Sequence, residues 1–161
     1  MEQSPGVSWR NRAAAWFAPL FPFASTKTWS SDAAAFAIRC EEFDGSLDVG
    51  ELVCQLAKML DDAPPSLSDV IGERPRVKLV EGQLAAEAFE SAALSLAGAK
   101  TGYMLSRAPD GTSMASVWLS GVTEEQTLKA PDTAVAICGA IALACLSAVS
   151  TDPTLLRSPI I

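Results

Sequence analysis

No charged residue occurs between Thr133 and Val149, a run built mostly of Ala, Gly, Cys, Ile, Val and Leu. A segment of that composition has to leave water, covered either by lipid or by the rest of its own chain. As a helix it falls a little short of a bilayer, and its small side chains gain little from lipid. Those same side chains allow close packing on a sheet. The run therefore predicts a helix buried by protein and capped by Asp132, around which the other elements must be arranged.

The chain has the material to do that burying. Its 161 residues suit a single domain, and 49% of them are apolar against 19% charged. That balance excludes wholesale disorder, which needs low hydrophobicity and high charge.

Ala108-Pro109-Asp110-Gly111 is the strongest local signal. Proline presets one turn residue and glycine accepts a positive φ at another, so Thr101–Ser106 and Ser113–Ser120 should form a hairpin. Tyr103 and Leu105 then share one face of the first strand, as Val117 and Leu119 do on the second. Arg76–Val80 alternates polar and apolar residues like a half-buried strand. Gln83–Ala97 reads as a helix with Ala85, Phe89, Ala92 and Leu96 inward, closed by Gly98. Leu155–Ile161 reads as a last strand that Pro159 confines to an edge.

Upstream, a helix is expected from Ser30–Asp32 to Phe43, with Phe36, Cys40 and Phe43 on one face. A second should run from Asp48 to Leu60 over a stripe of Val49, Leu52, Val53, Leu56 and Leu60. A loop with one helical turn at Leu67–Ile71 follows. From residue 76 the order is βαββαβ, the ferredoxin-like order. The expected fold class is thus α+β: an N-terminal extended arm and a helical hairpin, then a sheet with helices packed on one face. That order hosts many functions and assigns none.

Histidine is absent, which removes the side chain that titrates near neutrality and the commonest metal ligand. Ser–His and Cys–His dyads are excluded within one chain. Gly111-Thr112-Ser113-Met114-Ala115 approximates the nucleophile elbow, but it sits in a hairpin and has no base. No lysine lies three residues after a serine, and there is no phosphate-binding or dinucleotide fingerprint. Cys40, Cys54, Cys138 and Cys145 lack zinc-site spacing and read as buried free thiols in a reducing, intracellular compartment, cytoplasmic or organellar. No catalytic residue, metal site or cofactor is expected.

Residues Cys40–Glu51 resemble an EF-hand calcium loop in one respect. Glu42, Asp44, Gly45, Leu47, Asp48 and Glu51 fall at the third, fifth, sixth, eighth, ninth and twelfth places. The first place holds Cys40, a soft ligand, and no second loop pairs with this one. An acidic turn between two helices is the expectation.

The net charge of −7 disfavours nucleic acid as a partner. It is unevenly spread. Residues 1–31 carry Arg10, Arg12 and Lys27 against Glu2 alone, while acids cluster at Glu41, Glu42, Asp44, Asp48, Glu51, Asp61 and Asp62. The same N-terminal stretch holds Trp9, Trp16, Phe17, Phe21, Phe23 and Trp29, more than half of the chain's Phe, Tyr and Trp residues. Its prolines break any long helix. We read residues 1–31 as a basic aromatic arm and 32–161 as a single acidic domain.

Aromatics beside arginine anchor interfaces, so Trp9, Arg10, Arg12, Trp16, Phe17, Phe21 and Phe23 are the candidate partner-binding residues. The expected function is a non-catalytic subunit or adaptor that docks into a larger assembly through this arm. The arm also suits a membrane surface. The alternative is an acidic chaperone or inhibitory, immunity-type partner that masks a basic protein. A third reading is a small-ligand binder or an enzyme whose site carries no motif.

Overall fold

A computed structural model of the chain describes residues 26–71, 77–121 and 124–151. The protein is α+β, with helices α1 (Thr26–Glu41), α2 (Val49–Asp61), α3 (Pro65–Ile71), α4 (Val77–Ala85) and α5 (Phe89–Ser95) in its first half. Strands β1 (Thr101–Arg107), β2 (Ser113–Leu119) and β3 (Gln126–Ala130) follow, and helix α6 (Thr133–Thr151) comes last. The three strands form one antiparallel sheet in the order β1-β2-β3.

α6 is the axis of the molecule. It packs on β2 and β3 with one side and on α1, α2, α3 and α5 with the others. Asp132 caps it, its Oδ1 accepting from Val135 N–H at 3.1 Å. The buried residues run without a break from Ala134 to Ala142. Its window Thr133–Ser150 has a mean hydropathy of 2.1 and is long enough to cross a membrane, yet 72% of it is buried inside the protein. The charge-free run is therefore covered by its own chain, as its small side chains imply.

Small residues set how close the neighbours come. A Cβ built on Gly139 would lie 2.5 Å from Leu128 Cδ1 and 2.8 Å from the Cβ of Cys40. α6 thus passes between β3 and α1 where only a hydrogen fits. α1 turns Trp29, Ala33, Phe36, Ala37 and Cys40 inward at helical spacing. α2 buries Leu52, Val53, Leu56 and Leu60 as its stripe predicts, with Val49 half-buried, and Asp48 Oδ1 caps it by accepting from Glu51 N–H at 3.2 Å. Trp29 Nε1 donates to the Met59 carbonyl at 2.8 Å and ties α1 to α2. Trp29, grouped with the arm on composition, is core.

The hairpin forms where the turn residues place it. Gly111 N–H bonds to the Ala108 carbonyl at 2.9 Å, and Ala108 N–H to the Thr112 carbonyl at 2.8 Å. Gly111 takes φ +89, so a three-residue loop closes the strands as a turn followed by a left-handed residue.

Three segments differ from expectation. Val77–Val80 is helical, not a strand, and the βαββαβ order is not found among the described residues. Val80 and Leu84 are both buried, four residues apart on one helical face, while Leu79 is exposed. The helix expected over Gln83–Ala97 is two helices. α4 ends with bonds from Glu87 N–H to the Leu84 carbonyl and from Ala88 N–H to the Gln83 carbonyl, and Glu87 adopts φ 55. This is a Schellman ending with glutamate where glycine is usual. β3 was not expected, although Ser120-Gly121 ahead of it is a turn signal and Gly121 takes φ +83. The final strand Leu155–Ile161 lies outside the described residues.

Gly139→Ala should lower stability by about 1–2 kcal/mol, because overpacking against Cys40 and Leu128 exceeds the gain in helix propensity. Urea unfolding of the variant measures it, and unchanged stability would contradict the close crossing.

Candidate functional site

The partner-binding residues picked from the sequence, Trp9, Arg10, Arg12, Trp16, Phe17, Phe21 and Phe23, lie outside the described residues. What the described residues present is a different surface, built by the sheet.

Strand pairing fixes two faces. Thr101, Tyr103, Leu105 and Arg107 of β1 share the α6 side with Ala115, Val117, Leu119, Leu128 and Ala130. Met104 and Ser106 share the opposite side with Met114, Ser116, Trp118, Thr127 and Lys129. That outer side has no helix over it among the described residues, and Trp118 and Met104 are 40% and 56% exposed there. The indole lies over Gly102, whose missing side chain makes the room: a Cβ there would come 2.1 Å from Trp118 Cε2. Beside it, Ser116 Oγ and Thr127 Oγ1 are 2.7 Å apart and satisfy each other.

The inner side is uneven. α6 covers β2 and β3, which leaves Leu105 half-buried and Tyr103 49% exposed on β1. β1 therefore carries apolar side chains in the open on both faces. The signal was visible: Tyr103-Met104-Leu105 and Val117-Trp118-Leu119 are apolar at both parities, which asks for cover on two sides.

The other side-chain clusters among the described residues are held by packing and local hydrogen bonds. All four cysteines are free and buried. Burial pushes the Cys40 and Cys145 thiols up to about 12 and Cys54 to about 11, the last helped by the charges of Asp48 and Glu51. Burial raises Cys138 well above its ordinary value, and neighbouring Cys40, Asp132 and Cys54 raise it further. Protonated thiols are poor nucleophiles and poor metal ligands.

The loop that resembles an EF-hand has its groups engaged locally. Cys40 faces the core, Asp48 caps α2, and Asp44 Oδ1 accepts from Ser46 N–H at 2.9 Å. Hydrogen bonds from the Ser46 hydroxyl and N–H hold the Asp44 carboxyl below its ordinary value. Among the described residues no three His, Cys, Asp or Glu side chains stand together as a metal-binding group.

An open depression of about 310 Å³ lies between the starts of α5 and α6, edged by Glu87, Glu90, Asp132 and Arg107. Asp132 is engaged as a helix cap, and Thr133 Oγ1 is 2.7 Å from Ser113 Oγ. The arrangement supplies charge of both signs but no activated nucleophile.

Compared with models of known protein families, with curated proteins and with solved structures, the chain matches none.

The raised thiols have a measurable consequence. Their folded values exceed the unfolded value of 9.0, so the folded state holds protons that the unfolded chain releases. This stabilisation is complete below about pH 9 and is lost as pH rises towards about 12. The urea midpoint should fall across that window, and a thiol reagent at pH 8 should label the cysteines only after unfolding. Rapid labelling of the native protein would contradict the burial.

Proposed function

We propose that this chain is a non-catalytic protein-binding subunit or adaptor that docks into a larger assembly. One observation carries the reading: Trp118 and Met104 stand on a sheet face that no element covers among the described residues, with Tyr103 exposed on the other side of β1. Tryptophan and tyrosine are the side chains that anchor interfaces, and a rigid sheet presents them at low entropic cost. The aromatic arm supports the same reading by composition, with Trp9, Arg10, Arg12, Trp16, Phe17, Phe21 and Phe23 as a second attachment. Four buried thiols without a disulfide agree with a reducing, intracellular compartment.

A second reading keeps a specific observation in its favour. Glu41, Glu42, Asp44 and Asp48 are all exposed around the α1–α2 turn, an acidic ridge suited to masking a basic protein.

The two readings separate by affinity capture of a stoichiometric partner from native extract, followed by binding measurements on that partner. For a sheet-docked adaptor, Trp118→Ala should weaken binding by about thirtyfold, equivalent to about 2 kcal/mol, measured at a temperature where circular dichroism shows the variant folded, because the indole also covers Gly102. Paired alanines at Trp16 and Phe21 test the arm in the same way. A partner insensitive to Trp118, Trp16 and Phe21 but released by salt would favour charge masking. Absence of any stoichiometric partner would overturn the adaptor reading.

A further inference from the structure

Among the described residues β1 has no partner on its outer edge, which offers a ladder of hydrogen bonds from Tyr103 to Arg107. Ser120 N–H bonds to the Lys100 carbonyl and Ala108 N–H to the Thr112 carbonyl, so the even-numbered residues of β1 face β2. The odd-numbered ones point their N–H and C=O groups away from the sheet. Thr101 N–H reaches the Gly98 carbonyl at 3.4 Å, whereas Tyr103, Leu105 and Arg107 turn theirs to the outside. Exposed edges of soluble proteins are normally blunted by proline, a bulge or an inward-pointing charge. Thr101–Arg107 contains no proline, pairs with β2 without a bulge, and has only Arg107, at its last position, as a charge.

We infer that β1 pairs with β1 of a second copy, antiparallel across a two-fold axis at Met104, to make one continuous six-stranded sheet. This goes beyond the partner-binding reading and does not rest on it.

The register follows from the strand itself. Centring on Met104 is the one arrangement that pairs all seven residues from Thr101 to Arg107. In it Tyr103 and Leu105 of the second copy exchange both backbone hydrogen bonds, and the symmetry repeats this for Leu105 and Tyr103. Their side chains meet beyond the edge of α6, which covers the exposed Tyr103 ring and the open part of the half-buried Leu105.

The charges agree with the same register. Arg107 lies diagonal to Tyr103 of the second copy, within reach of a cation–π contact. No like charges face each other along the ladder. The repulsion between two acidic bodies is long-ranged and is screened beyond about 8 Å at physiological salt. The outer face, with Trp118 of each copy, stays open and is doubled in area.

Sedimentation or native mass spectrometry of the full chain at about 100 µM should show a dimer, with a dissociation constant in the micromolar range. Met104→Glu and Met104→Lys each place like charges opposite one another at the axis, and each should raise that constant by about tenfold or more. Met104 is 56% exposed, so both variants should keep the native melting temperature. An equimolar mixture of the two variants should restore the dimer as a mixed species. A monomeric wild type, variants that dimerise as well as wild type, or a mixture without mixed dimers would each overturn the inference. Partner binding is tested by Trp118, Trp16 and Phe21, so the two proposals fail separately.

Discussion

A charge-free helix of small side chains has to be covered on nearly every side, and in this protein that requirement organises everything else. α6 takes β2 and β3 on one flank and α1, α2, α3 and α5 on the others. Gly139 sets the separation, since any larger side chain there would strike Leu128 and Cys40. Among the described residues α1, α2, α3 and α5 wrap this helix, and Trp29, Phe36 and Leu56 belong to the same buried core.

The size of that helix also explains what is left uncovered. An α-helix is about 10 Å across and strands lie about 4.8 Å apart, so one helix covers about two strands. β1, the third, overhangs. Tyr103 and Leu105 lie beyond the shelter of α6 while Met104 and Trp118 face outward, and the edge beside them has no partner strand among the described residues. The thiols, held protonated by burial, serve the packing around α6.

Much of this was legible in the residues, for reasons that are local. Ala108-Pro109-Asp110-Gly111 dictates a turn whatever surrounds it, and Asp48 and Asp132 announce the helices they cap. The stripe of α2 is strong enough to fix both its existence and its buried face. Val77–Val80 misled because four residues satisfy a strand's alternation and a helix's face equally well; only Leu84, one turn on, discriminates. The ending at Glu87 left no trace, because a Schellman turn held by glutamate lacks the glycine that would betray it. The exposed sheet was legible only in part: apolar residues at both parities ask for cover on two sides but do not say that one side lacks it. Tyr103, Met104 and Trp118 look like core by type, and only the count of covering layers shows that they are not. That count is a property of the assembled fold, whereas the aromatic arm advertised itself through composition alone.

α6 is the buried centre of the fold, and hydrogen exchange of the full chain tests that most directly. Amides from Ile137 to Ala144 should exchange only when the whole domain unfolds, with a protection free energy equal to that from urea unfolding. Fast exchange along α6 in an otherwise folded protein, or protection that appears only when detergent micelles are added, would contradict it.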